Sequence, residues 1–163
     1  MDGRYVLVVT CFVVAPDEQG TLTALIVKRG ENEIEGPGLW AVPGGKVENT
    51  DWGRPLKTAT HSMVWSSVLL RAMRRELHEE TSLKPNTLAI LPESDTVFVR
   101  KNGAPTLVFS FWSFYPRIPP IVLGKELVDY RFVSAKELSG YPLIGNVACQ
   151  IENVLSETRR HYA

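Results

Sequence analysis

Residues 74–82 read RRELHEETS, and how they sit on a helix decides the fold. The spacing predicts a helix from about Met63 to Thr81, with Trp65, Val68, Leu69, Ala72, Met73 and Leu77 on one apolar stripe. On a wheel at about 100° per residue, Arg71, Arg74 and His78 fall on the opposite, wet side. Glu76 and Glu80 fall inside the apolar stripe, with Glu79 at its edge and Arg75 bordering Glu79. Carboxylates beside an apolar face lose hydration and repel one another. Glu76 and Glu80, one turn apart, also weaken the helix as a like-charged pair. The residues alone leave two explanations open. Either the helix emerges into solvent near residue 76, or the carboxylates hold a divalent cation, for which hard oxygen ligands suit Mg²⁺.

Outward from this helix the chain reads mainly as strands. The first spans roughly 5–14 and ends at the turn APDEQG; the second is the apolar run TLTALIVKR, residues 21–29. GENEIEGPG is a loop, LWAV a short strand, and PGGK a break after it. Residues 49–62, NTDWGRPLKTATHS, lack periodicity and read as a long loop, a kind often functional in compact domains. Strand signals recur near 87–91, 95–101, 105–115 and 129–133. SAKEL reads as a short helical turn capped by Ser134. A final helix is expected over 145–160, with Val147, Ile151, Val154 and Leu155 at core spacing. The pattern implies an α/β (α+β) fold, helices packed on a central mixed sheet, as one domain over 1–163.

The 163 residues carry 18 basic and 18 acidic side chains, a net charge of zero. That balance gives no case for a nucleic-acid polymer or a membrane surface as partner, and leaves a small anionic ligand open. The N-terminal run YVLVVTCFVVA is too short to span a bilayer, and its Val and Phe content favours a strand. A soluble, cytoplasmic protein is expected. Cys11 and Cys149 lack metal-site spacing and read as buried thiols; His61 and His78 lack it too.

A second signal lies in GLWAVPGGKVE, residues 38–48, where Pro43-Gly44-Gly45 allows a sharp turn and close backbone approach. GGKVE followed by RRELHEETSL resembles the Nudix hydrolase signature: Gly, five residues, Glu, seven residues, Arg-Glu-apolar-x-Glu-Glu-x-Gly-apolar. The match covers Gly45, Arg75, Glu76, Leu77, Glu79, Glu80 and Leu83. The chain departs from the pattern in three places. Ser82 stands where the late glycine belongs. The first glutamate is missing, since counting from Gly45 gives Asp51 and counting back from Arg75 gives Ser67. The two halves lie about sixteen residues too far apart, which places an inserted loop at about 49–64.

The resemblance implies a Nudix-like α/β/α sandwich and hydrolysis of a nucleoside diphosphate linked to another group, with Mg²⁺ or Mn²⁺. It implies metal ligation by Glu76, Glu79, Glu80 and the Gly45 carbonyl. A further acidic residue comes from GKELVDYRFVSAKEL, with Glu126 first, as ligand or general base, and Asp129 second. Glu79, Glu80, Arg75 and Glu126 form the expected catalytic set, Arg75 orienting a carboxylate through paired hydrogen bonds; the plain alternative is a surface ion pair with Glu79. For substrate, Arg29 would meet a phosphate, or is a solvated strand-end charge. Asn146 would read a base, or is a helix N-cap. Trp52 would stack a base, while Trp40 and Trp65 read as core. The expected substrate is a nucleoside triphosphate, cleaved to monophosphate and pyrophosphate. ADP-ribose, a nucleotide sugar, a dinucleoside polyphosphate and a non-catalytic nucleotide-sensing role stay open, as does a homodimer.

Overall fold

The computed structural model describes residues 5–58, 60, 63–91 and 95–162. In chain order the elements are β1 (Val6–Pro16), β2 (Leu22–Arg29), β3 (Trp40–Ala41), β4 (Gly44–Lys46), a 3-10 turn (Asn49–Trp52), α1 (Val68–Thr81), β5 (Ala89–Ile90), β6 (Thr96–Val99), β7 (Pro105–Phe114), β8 (Leu127–Val133), a second 3-10 turn (Leu138–Gly140) and α2 (Val147–Tyr162). The strands form one mixed sheet. β1 and β7 run parallel from the Val6–Thr106 pair to the Val14–Phe114 pair, and every other pairing is antiparallel.

Both faces of the sheet are covered, which is why its central strands read as nearly continuous apolar runs. Alternation along β1 sends Val9, Cys11 and Val13 to one side, where Leu25, Val27, Met73 and Leu77 complete a core under α1. Phe12 and Val14 face the other side and meet Ala24, Ile26, Ile151, Val154 and Leu155 under α2. Among the described residues no helix is long and apolar enough to cross a membrane.

The segment that positions the site comes from a divergence of β1 and β2. These strands pair only from Val14–Ala24 to Pro16–Leu22. Beyond that point β3 pairs with β2 and β4 pairs with β1, filling the gap. Residues 44–46 therefore form a strand and are more than the break expected of PGGK. Glycine makes this possible: a Cβ on Gly44 would lie 2.2 Å from the Val9 carbonyl oxygen.

Several boundaries differ from those the spacing predicts. α1 starts at Val68, because Ser67 adopts a left-handed conformation with φ 56° and breaks the helix. Met63, Val64 and Trp65 belong to the inserted loop instead. Val64 and Leu56 exchange N–H···O hydrogen bonds of 2.8 Å, and Trp65 stands edge-to-face against Trp52 with ring centroids 5.2 Å apart. His61 lies outside the described residues. The strands expected at 87–91 and 95–101 shrink to β5 and β6. α2 places Ile151, Val154 and Leu155 in the core as the spacing requires, with Val147 packed against it. Cys11 is buried, but Cys149 is exposed, being off that stripe of α2.

Ser82, where the resembled pattern has its late glycine, ends α1 in the left-handed region at φ 58°, with its N–H donating to the His78 carbonyl. An L-residue is disfavoured there and glycine is not. Ser82→Gly is expected to raise stability by about 1 kcal/mol, read as a higher urea midpoint at unchanged slope.

Candidate functional site

α1 packs its acidic stripe onto the glycines of β4. Glu80 accepts a hydrogen bond from the Gly44 N–H at 2.8 Å. The Glu76 carboxylate lies over Gly45 so closely that a Cβ there would sit 2.3 Å from Glu76 Oε1. Gly44 and Gly45 thus form a floor without side chains beneath two partly buried carboxylates. Burial pushes the Glu80 carboxyl up to about 8. The Gly44 bond and Arg29 pull against that shift, while Glu76 and Glu126 add to it. Burial also raises Glu76, with Arg75 opposing.

Arg75 organises the other side. Each of its five N–H groups has an acceptor. Nε and Nη2 donate to the two Asp51 carboxylate oxygens, each at 2.9 Å. Nη2 also donates to the Lys46 carbonyl, and Nη1 to Glu76 at 2.9 Å and Glu79 at 3.0 Å. The pairing with Asp51 is bidentate, with the Asp51 side chain only 3% exposed. Asp51 takes a third bond from the Glu48 N–H, and the Arg75 bonds hold its carboxyl below the ordinary range. The surface pair with Glu79 is therefore the lesser part of what Arg75 does.

The pattern's first glutamate remains absent, but Asp51, with five residues between it and Gly45, supplies a carboxylate to Arg75. The count from Gly45 was the signal that pointed to it. Residues 52–74 then intervene before Arg75, and no periodicity in them shows that the ends meet. Arg71, which donates to the carbonyls of Asp51 and Trp52, also escaped the sequence reading. Its signal is its place one turn before Arg75.

The remaining predicted residues divide. The segment after β7 folds back on the end of α1: Gly124 donates to the Glu80 carbonyl at 2.9 Å, and a Cβ on it would lie 2.3 Å from the Glu79 carbonyl oxygen. This places Glu126, exposed, where its charge acts on Glu80. Asp129 instead binds its neighbour's N–H and Arg131, opposite Lys28 in the sheet, so Glu126 is the better placed of the two. Arg29 ends β2 with Nε on the Glu35 carbonyl and Nη2 on Glu33, and its charge reaches Glu80. Glu79 is exposed and drawn aside by Arg75. Among the described residues no three acidic, His or Cys groups converge as an ion cage. The donors nearest to one are Glu76, Glu80, Glu126 and the main chain at Gly45, all hard oxygens, which fit Mg²⁺ or Mn²⁺ and not a thiolate metal.

Trp52 keeps 41% of its surface exposed while packing on Trp65. Asn146 is exposed and its carbonyl accepts from the Gln150 N–H, the N-cap position of α2. Neither side chain has a hydrogen bond or ion pair to the carboxylates. Trp40 is buried against Tyr141, a core residue as expected.

A family model for the NUDIX domain matches residues 4–150. Among solved structures, the NUDIX domain of Shewanella oneidensis NrtR in complex with ADP ribose is similar at TM-score 0.71 and 18% identity, over 96% of this chain and 88% of that one. The MutT protein of Methanosarcina mazei Go1 is similar at 0.64 and 19%, over 100% and 99%. A Caenorhabditis elegans Ap4A hydrolase binary complex is similar at 0.63 and 16%, over 93% and 98%. These likenesses establish the fold. No curated protein matches the chain.

Removing one partner of a mostly buried ion pair leaves the other uncompensated. Asp51→Ala is expected to cost about 3 kcal/mol at pH 7, measured by urea unfolding. Because the folded-state carboxyl of Asp51 is depressed, its contribution is fully present above pH of about 4 and is lost as pH falls through the folded value. The gap between wild type and Asp51→Asn should therefore narrow in acid.

Proposed function

This chain belongs to the Nudix hydrolase family, and on that premise we propose that it is a Mg²⁺- or Mn²⁺-dependent pyrophosphohydrolase acting on a nucleoside diphosphate linked to another group. The observation that carries this reading is Glu80. It is a largely buried carboxylate, pushed up to about 8 by that burial, whose hydrogen-bond partner is one backbone N–H. A group so placed costs stability when ionised unless a cation joins it. The preferred substrate is a nucleoside triphosphate, cleaved by water to monophosphate and pyrophosphate. The ADP ribose held by the Shewanella domain favours that dinucleotide fragment as the second reading.

Glu76, Glu80 and the Gly45 carbonyl would hold the cation, with Glu79 and Glu126 completing or adjusting the set. Bound there, the ion supplies neutralisation of phosphate charge. The protein's own groups do the rest. Arg75 fixes the direction of Glu76 and Glu79. Glu126, on the exposed rim, accepts the proton of the attacking water at its carboxylate. Arg29 meets a phosphate oxygen once Glu33 yields. Trp52 offers its free flank to a base, and Asn146 its amide to a base edge.

Glu80→Gln tests the reading in two ways. Metal-dependent release of phosphate from a nucleotide panel, coupled to pyrophosphatase, should fall by about 100-fold or more. Stability should move the other way. Glu80 binds its proton more tightly folded than unfolded, so the metal-free wild type loses stability as pH rises from about 4.5 toward 8, by an amount on the order of 3 kcal/mol. At pH 8 the metal-free glutamine variant should melt higher than wild type, and near pH 4.5 the two should agree. Mg²⁺ at pH 8 should raise the wild-type Tm alone. No turnover of triphosphates, ADP-ribose or dinucleoside polyphosphates, together with no Mg²⁺ shift, would leave a non-catalytic nucleotide-binding role.

A further inference from the structure

Two arginines one helical turn apart hold the same loop residue by different atoms. Arg75 takes the carboxylate of Asp51. Arg71 takes the main chain: its Nε donates to the Asp51 carbonyl at 2.6 Å and its Nη2 to the Trp52 carbonyl. Those carbonyls end the 3-10 turn Asn49–Trp52, where no later residue of the turn can satisfy them. The guanidinium also lies against Gly53, which adopts φ 68°. A Cβ there would stand 3.3 Å from the guanidinium carbon and 3.4 Å from Nε. A side chain at 53 would be strained and would crowd the arginine. Among the described residues, the hydrogen bonds that tie this turn to α1 are those of Arg71 and Arg75.

In the family pattern a link of seven residues joins the acidic residue to the arginine. Here residues 52–74 intervene. Closure entropy grows with loop length, so a link this long no longer fixes Asp51 by connectivity. The insert closes on itself through Leu56–Val64 and Trp52–Trp65, which shortens the effective link but makes no hydrogen bond from the turn to α1. We propose that Arg71 is a positioning residue that replaces the short link. It clamps the main chain of Asp51 and Trp52 to α1, which keeps Asp51 on Arg75 and Arg75 on Glu76 and Glu79. The consequence for catalysis rests on the metal reading of the preceding section; the clamp does not.

The test compares wild type, Arg71→Met, Arg71→Lys, Asp51→Asn and the Arg71→Met/Asp51→Asn double variant. Three quantities are read: Mn²⁺ affinity from the EPR signal of the free ion, kcat and KM for a nucleoside triphosphate in Mg²⁺, and amide hydrogen exchange over residues 48–53. Arg71→Met should weaken Mn²⁺ binding by about tenfold. It should lower kcat with little change in KM, and speed exchange at 48–53 while β1 stays protected, which shows the variant is folded. Arg71→Lys should recover part of each. In the Asp51→Asn background Arg71→Met should add little, because the two act as one unit. Wild-type Mn²⁺ affinity and wild-type exchange in Arg71→Met would overturn the proposal, as would losses that simply add in the double variant. A wild type that neither binds Mn²⁺ nor turns over nucleotide would overturn the metal reading instead, and exchange over 48–53 would then decide the clamp alone.

Discussion

A carboxylate can rest against a β-sheet only where the strand beneath it has no side chain. Gly44 and Gly45 provide that place, and much of the architecture follows from it. A side chain at 44 would collide with the main chain of β1, so β4 could not pair with it. A side chain at 45 would occupy the position of the Glu76 carboxylate. The glycine pair therefore fixes both the seat of β4 and the distance at which α1 approaches. Within that distance Met73 and Leu77 fill the apolar part of the interface, and Glu76 and Glu80 fill its polar end. The divergence of β1 and β2 serves the same arrangement. It opens the gap that β3 and β4 occupy, with the Pro43 carbonyl accepting from the Cys11 N–H to hold the crossing point.

The carboxylates of this region are satisfied in a graded way. Asp51 receives two guanidinium bonds and a backbone N–H, and its proton affinity drops. Glu76 shares one N–H of the same guanidinium and remains raised by burial. Glu80 has a backbone donor and no cationic hydrogen-bond partner among the described residues, and rises furthest. One arginine cannot neutralise all of them, since its donors are already spent. The unmet demand for positive charge thus concentrates at Glu80, where the charges of Arg29 and Glu126 also act.

Much of this was legible in the sequence because it depends on period. The strands show as apolar runs, and the wheel places Glu76 and Glu80 on the apolar stripe. Period does not encode the rest. The spacing carries α1 back past its true start because Trp65 extends the stripe, while the left-handed Ser67 that breaks the helix leaves no mark in hydrophobicity. The glycines of β4 suit a turn as well as a strand, and only the approach of β1 decides between them. Residue type suggests a buried Cys149, but its position on α2 leaves it exposed. The role of Asp51 does not show in the sequence, because its partner Arg75 lies beyond an aperiodic stretch and a tertiary ion pair across it has no local signature.

That stretch also raises the question of how an insertion survives at so sensitive a point. Lengthening a flexible link from seven residues to residues 52–74 adds a closure cost of about 1 kcal/mol, because the cost grows only with the logarithm of length. The edge-to-face pair of Trp52 and Trp65 contributes about the same magnitude, and the Leu56–Val64 hydrogen bonds add to it. Thermodynamically the insert is nearly neutral. Its geometric effect is larger than its energetic one, because a longer link lets Asp51 drift by distances that would break a bidentate bond. Arg71 pins the chain again on its near side, at the end of the 3-10 turn. The two carbonyls at that turn end, the guanidinium that caps them and the glycine that lets it approach form that pin.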